Sequence, residues 1–182
     1  MVLKFRKIKE DDLEMIMKWR MSPEVTKYMY SDPILDLNKQ REWYENIIKK
    51  EESDIYWIIN FENTDIGVIS INNIDKKNKH ASRGHYIGDL NFRGRGLSRS
   101  IQYNTYYYAF EKLHLNKLWF EILEFNHRNI ELSKKYGAKI EGIFKEHCYK
   151  NGTFYDVVRM AMLKKEWDQI KNNIEYEKAE IE

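Results

Sequence analysis

One cysteine, two prolines and no apolar run near the roughly 20 residues of a membrane helix set the first limits on this 182-residue chain. A single Cys148 excludes an internal disulfide and any multi-cysteine zinc site. It fits a reducing cytoplasm and reads as an ordinary strand residue. Charge of one sign is also missing: 31 Lys and Arg face 29 Asp and Glu, a formal net charge of +2. That balance is too even to imply nucleic-acid binding through bulk electrostatics. The N-terminus, MVLKFRKIKEDD, lacks the apolar stretch of a signal peptide. The expectation is a cytoplasmic protein with neither a membrane nor a nucleic acid as partner. The chain is 42% hydrophobic and 33% charged, which suits one globular domain with a real core. Thirteen tyrosines and five tryptophans are many for this length. They line a ligand cleft or simply pack.

The apolar pattern predicts an α+β chain. Leu3, Phe5 and Ile8 suggest a first strand. Glu10-Asp11-Asp12 opens a helix that Ser22-Pro23 ends. Val25 to Tyr30 and Asp32-Pro33 read as an ordered loop, and Asn38 to Lys50 as a second helix. Ile55 to Phe61 and Ile66 to Ile74 read as strands covered on both faces, joined through residues 62 to 65. A strand over Arg83 to Leu90, a helix over Ser98 to Leu113 and a strand over Lys117 to Phe125 follow. A short helix then ends at Tyr136-Gly137. Lys139 to His147 and Thr153 to Leu163 flank Asn151-Gly152, a strong hairpin signal. Residues 1 to 167 read as one domain, and Asp168 to Glu182 as a charged, frayed tail.

The most informative stretch is Arg93-Gly94-Arg95-Gly96-Leu97-Ser98, between a strand and a helix. Such a turn leaves backbone N–H groups free at a helix start, where they and the dipole suit a phosphate. Gly94 and Gly96 admit a ligand without a Cβ clash. Arg93, Arg95 and Arg99 add positive charge. The spacing fits neither a P-loop nor the dinucleotide fingerprint.

With the strand KLWFEILEF, then Asn126-His127-Arg128-Asn129 and Gly137, this turn resembles the acetyl-CoA site of the GNAT superfamily of N-acetyltransferases. Arg93, Gly96 and Ser98 fill the fixed places of the turn, Ser98 standing for the usual Gly or Ala and able to cap the helix. The resemblance runs from about Leu3 to Trp167. It implies a mixed, mainly antiparallel central sheet flanked by helices and splayed at the acetyl-CoA cleft. It implies acetyl-CoA as co-substrate and no metal. Ile87 and its neighbours would offer backbone groups to the pantetheine arm, and Asn126 and Asn129 would contact cofactor or cap the helix.

Acetylation of a primary amine needs that amine neutral, so a general base is useful. Glu121, in an apolar strand after Phe120, is the first choice, because desolvation would raise its pKa. His85 and Tyr86 precede the turn on opposite faces of their strand, and His85 is a second base or a packed residue. Related enzymes carry a tyrosine acid in a Leu-Tyr-Glu-Lys context. Here the run is Leu132-Ser133-Lys134-Lys135, so Ser133 takes that place and Tyr136, one turn on, is the substitute.

The first third and the end of the chain resemble ribosomal-protein N-terminal acetyltransferases and the acetyltransferases of pseudaminic-acid synthesis, which modify a UDP-linked 4-amino-sugar. Lys18-Trp19-Arg20, Pro23-Glu24-Val25, Tyr28-Met29-Tyr30 and Tyr149-Lys150-Asn151-Gly152 carry that match. It would place Arg20, Tyr30, Gln40, Asn72, Asn73 and Tyr86 around a nucleotide-sugar. Arg20 would hold a diphosphate, or pair with Glu24 at i,i+4 spacing. The acceptor is thus expected to be a small-molecule amine, a nucleotide-sugar first. A protein N-terminus, a polyamine and an aminoglycoside are the alternatives, and a homodimer is possible on this reading.

Overall fold

The computed structural model describes residues 2–182. Strand β1 (Leu3–Lys7) leads through a 3-10 turn into α1 (Leu13–Met21), the short α2 (Pro23–Thr26) and α3 (Leu37–Lys49). Strands β2 (Ile55–Phe61), β3 (Thr64–Asp75) and β4 (His80–Ile87) form a meander. Then come α4 (Leu97–Tyr107), β5 (Lys117–Leu123), α5 (His127–Lys135), β6 (Lys139–Lys150), β7 (Thr153–Leu163), α6 (Lys164–Ile170) and β8 (Glu180–Ile181). Among the described residues the eight strands make one sheet, ordered β6-β7-β5-β4-β3-β2-β1-β8. Every pairing is antiparallel except β4 with β5 and β1 with β8.

The parallel pair positions the site. His80, Ala81 and Ser82 face Lys117, Leu118 and Trp119, and there the register ends. From Arg83 and Phe120 onward the two strands run unpaired and diverge. Their carboxyl ends open a cleft, where ligands of α/β sheets bind.

Side-chain alternation gives the sheet two apolar faces. On one, Ile58 and Val68 pack with Leu13 and Ile16 of α1 and with Trp43, Tyr44 and Ile47 of α3. On the other, Phe5, Trp57, Ile59, Ile69, Ile71 and Ala81 pack with Ile101, Tyr106 and Phe110 around α4 and with Trp167 of α6. Burying one such side chain contributes roughly 1.5–3 kcal/mol. These strands are therefore apolar nearly throughout, as IYWIINF anticipates.

Several boundaries differ from the sequence reading. The β2–β3 turn is the two residues Glu62 and Asn63, both at positive φ (49° and 64°), so β3 starts at Thr64. Strand β4 begins at His80 and stops at Ile87, and residues 90 to 92 form a 3-10 turn. The helix after the glycine turn ends in one π turn, Tyr108–Lys112. The Asn151-Gly152 hairpin forms as expected, with φ of 51° and 80°.

The C-terminal segment is not a frayed tail. Ile174, Tyr176, Ala179 and Ile181 pack on the main core, and β8 pairs with β1. The Trp57 indole donates to the Glu182 carbonyl at 2.7 Å, and Asn104 bonds Glu177 and Ala179. Charge spaced between these apolar residues hides the pattern in sequence.

Candidate active site

The cleft between β4 and β5 opens into a cavity of about 940 Å³ that passes from one face of the sheet to the other. Arg20, Tyr28, Gln40, Trp43, Tyr56 and Tyr86 line the α1–α3 side. Arg83, Phe92, Leu97, Ser98, Phe120, Asn126, Asn129, Leu132 and Tyr136 line the α4–α5 side. Divergence of two strands is what lets a molecule on one face meet a molecule on the other.

The glycine turn is built for close approach on the α4 side. Gly94 and Gly96 hold φ of 78° and 79°, and no heavy atom lies within 4 Å of where a Cβ would stand. That open space in front of the N-terminus of α4 suits a phosphate group. Gly96 is the N-cap, so Ser98 is not the cap anticipated for it. Its Oγ lies 3.3 Å from the Tyr136 hydroxyl instead. Arg93 folds back: its guanidinium donates to the Ile87 carbonyl at 2.8 and 3.2 Å and to the Glu24 carbonyl at 3.1 Å. The Ile87 carbonyl, one of the backbone groups expected to face the pantetheine arm, thus accepts from Arg93. Arg95 stacks on Phe92 at 4.7 Å, and neither it nor Arg99 lines the cavity. Asn126 is the N-cap of α5, and both it and Asn129 line the cavity, so capping and cofactor contact are compatible.

Glu121 projects to the other side of the sheet from its neighbour Phe120. Its carboxylate accepts from the Tyr30 hydroxyl at 2.7 Å and from Arg159 Nε at 3.0 Å. Arg159 sits directly opposite on β7, stacked on Trp119 at 3.8 Å. Glu121, expected in apolar surroundings, is instead a charge-paired acceptor. Burial, then the bond to Glu121, pushes the Tyr30 hydroxyl well above the usual phenol range, so it stays a donor.

Ser133 is buried and does not line the cavity, whereas Tyr136 does. The helix turns the serine into the core and the tyrosine toward the glycine turn. His85 lines the cavity beside Arg83, with Nδ1 3.0 Å from Arg83 Nη1. Burial first, then the arginine charge, lowers it to about 3, so it is neutral and accepts from the guanidinium. That nitrogen is taken up by the guanidinium and is not free to accept a proton from an amine.

Of the expected substrate residues, Arg20, Gln40 and Tyr86 line the cavity. Arg20 bonds Ser31, through its carbonyl at 3.3 Å and Oγ at 3.1 Å, rather than Glu24. Burial pushes the Tyr86 hydroxyl above its usual range. Tyr30 stands at the rim, reaching in only through Glu121. Asn72 and Asn73 stand apart from the cavity: Asn72 accepts from Ser70, and Asn73 bonds Ser82 and Asp54. The sequence reading missed Arg83, Arg159, Trp43 and Tyr56. The Glu121–Arg159 pair becomes visible only once the β5–β7 register is known.

A mixed sheet parted at one parallel pair, with a glycine turn at a helix start on one side and a carboxylate on the other, has room for a phosphate-bearing carrier and a second molecule in one cleft. The acetyltransferase (GNAT) domain model matches residues 3–139, and the chain belongs to that family. It is an N-acetyltransferase that uses acetyl-CoA. The N-acetyltransferase p20 of Bacillus licheniformis, of uncharacterised substrate, is 28% identical over 91% of this chain and 94% of its own length. YdaF of Bacillus subtilis, provisionally named a ribosomal N-acetyltransferase, is 31% identical over 56% of this chain and 55% of its own. Spermidine N(1)-acetyltransferase of Escherichia coli K12 is 20% identical over 91% and 88%. The crystal structure of spermidine N-acetyltransferase from Vibrio cholerae with CoA and spermine superposes with a TM-score of 0.85 at 22% identity, covering 91% of this chain and 97% of that one. At that identity the likeness is one of fold.

No helix among the described residues is long and apolar enough to cross a membrane. Among them, no group of three or more His, Cys, Asp or Glu side chains is placed to hold a metal ion.

Proposed function

We propose that this chain acetylates a terminal primary amine of a short aliphatic polyamine. The observation that carries this is the α1–α3 half of the cavity: aromatic walls from Tyr28, Trp43, Tyr56 and Tyr86, with the Glu121 carboxylate beside them. Aromatic faces hold alkylammonium groups through their quadrupoles, worth about 0.5–2 kcal/mol each. Among the described residues, Glu24 and Glu121 are the only carboxylates lining the cavity. Two carboxylates suit a short di- or triamine better than a long polycation. The relatives named for spermidine support the same class.

Glu121 then has two tasks. It attracts the ammonium form and takes the proton that frees the nitrogen lone pair, directly or through one water. Arg159 and Tyr30 fix its orientation, one on each carboxylate oxygen, at the cavity wall. On this reading Tyr136, which lines the cavity on the opposite side of the sheet, protonates the leaving thiolate.

A second reading rests on Arg20. This guanidinium lines the acceptor side, and its partners are the neutral Ser31 groups alone among the described residues. A diphosphate would satisfy it, which favours a UDP-linked amino-sugar.

Thiol release from acetyl-CoA tests both. The acceptors are spermidine, a diaminoalkane, a serine-starting peptide and UDP-4-amino-4,6-dideoxy-N-acetyl-altrosamine. Turnover on spermidine or the diamine is expected, and Glu121→Gln is expected to lower kcat/KM about 10²–10⁴-fold. Turnover on the amino-sugar or peptide alone would replace the polyamine reading.

A further inference from the structure

Arg83 is used by none of the steps above, and its surroundings are unusual. It is 9% exposed, yet it forms no ion pair among the described residues. Its side-chain neighbours are neutral: His85, Tyr106 and the Phe120 ring, over which the guanidinium lies at 3.6 Å. Its Nε is buried without any hydrogen-bond partner. A buried guanidinium left without a counter-charge costs several kcal/mol, and a donor left unpaired adds more. A group this incompletely satisfied at a cavity wall is a candidate for completion by a ligand.

Position says which ligand. Arg83 is the first residue of β4 past the last paired position, Ser82 with Trp119, so it stands at the vertex of the cleft. It follows Ala81 in strand phase and so projects to the α4 side, where the glycine turn holds the carrier's phosphates. From Ile87 to Arg83 the strand spans four residues, about 13 Å. An extended arm entering from the glycine turn brings its acyl end to this vertex. An acetyl methyl offers a guanidinium nothing. A carboxylate at the end of a short acyl chain would accept a bidentate pair, including the orphaned Nε–H.

We propose that the vertex of the cleft admits, beside acetyl-CoA, acyl-CoA donors whose chain ends in a carboxylate, as in succinyl-CoA, with Arg83 holding that carboxylate. The inference rests on the CoA-thioester reading of the same cleft. The reaction keeps its balance. The amine nitrogen bonds the thioester carbonyl carbon, and the C–S bond breaks with its electron pair on sulfur. The proton lost by nitrogen passes to Glu121, and sulfur takes one from the Tyr136 hydroxyl, which solvent restores, to leave as the thiol. The product is an amide ending in a free carboxylate.

Calorimetric titration with non-reactive thioether analogues of acetyl-, butyryl- and succinyl-CoA tests this. The intact protein is expected to bind the succinyl analogue at least tenfold more tightly than the neutral butyryl one. Arg83→Met is expected to abolish that preference and Arg83→Lys to keep part of it, so a folding defect in the first variant leaves the second informative. Thiol release from succinyl-CoA with the preferred amine, with mass analysis of the acylated product, completes the test. Equal affinity of the wild type for both analogues, with acetyl-CoA still bound, overturns the donor proposal and leaves the CoA site standing. Failure of all three analogues to bind overturns both. Equal affinities combined with an Arg83→Met defect confined to turnover would make Arg83 an electrostatic partner of the leaving thiolate.

Discussion

At the residue scale, the helix geometry of α5 favours Tyr136 over Ser133 as the proposed acid. Ser133 and Tyr136 are three residues apart, yet one is buried and the other reaches Ser98 at the glycine turn. Tyr136→Phe is therefore expected to lower kcat about 10²-fold, the lower end of what a positioned acid contributes. Ser133→Ala is expected to leave kcat within about twofold. A larger loss in the serine variant, at unchanged thermal stability, would return the acid role to Ser133. His85 gives a second outcome at this scale. Held near 3 in the folded chain and near 6.5 when unfolded, it takes up a proton on unfolding between those values. Stability is then full above about pH 6.5 and falls as pH drops toward 3, with a slope of at most ~1.4 kcal/mol per pH unit from this group. His85→Asn is expected to flatten that limb in denaturant titrations at pH 4 to 6. An unchanged slope would show that His85 titrates in the folded state. That the glycine turn, Glu121 and Tyr136 would line one cavity was legible in the sequence, because short local motifs carry them. Arg159 and Arg83 were not, because their meaning depends on which strands pair and where pairing stops.

At the element scale, the acceptor wall depends on a buried lysine. Lys150, at the end of β6, donates to the carbonyls of Thr26 and Met29 and pairs with Asp32 at 2.9 Å. A cation at the C-terminal carbonyls of α2 suits the helix dipole. It also holds the Asp32 carboxyl below the usual carboxylate range. The segment it fastens carries Tyr28 and Tyr30, the second of which orients Glu121. Lys150→Met keeps the packing but frees those carbonyls and that carboxylate. The expected result is a KM for the amine raised about tenfold, with CoA affinity within twofold, since the glycine turn is untouched. A parallel loss of CoA affinity would show that the two halves of the cleft are not independent. The Asn151-Gly152 hairpin that precedes β7 was readable at once, since its turn residues adopt positive φ easily. What a lysine one position earlier fastens was not readable: its partners lie more than 100 residues away in the chain.

At the scale of the whole molecule, the last eleven residues close the sheet and brace the cofactor helix. Strand β8 covers the free edge of β1, and the Glu182 carbonyl satisfies the buried Trp57 indole. Ser100 and Asn104 of α4 bind the backbone at Glu177 and Ala179. Glu111, turned inward by the π turn, accepts from Trp167 and Lys171 at 2.9 Å and anchors the approach to this segment. Sequence pattern alone made residues 168 to 182 a charged tail. The apolar Ile174, Tyr176, Ala179 and Ile181 follow neither helical nor strand spacing, because most of the segment has no regular structure and meets the core through single contacts. Truncation after Lys171 removes those contacts, reopens an edge strand and leaves the Trp57 N–H unpaired. The last loss alone costs about 1–3 kcal/mol. With roughly 2–4 °C per kcal/mol in a chain of this size, Tm is expected to fall by at least about 5 °C. Because α4 loses its brace, CoA affinity is expected to fall with it, while the amine KM measured at saturating CoA stays near its original value. A truncated chain with unchanged Tm and CoA affinity would mean that α4 and β1 hold their places through the sheet core alone.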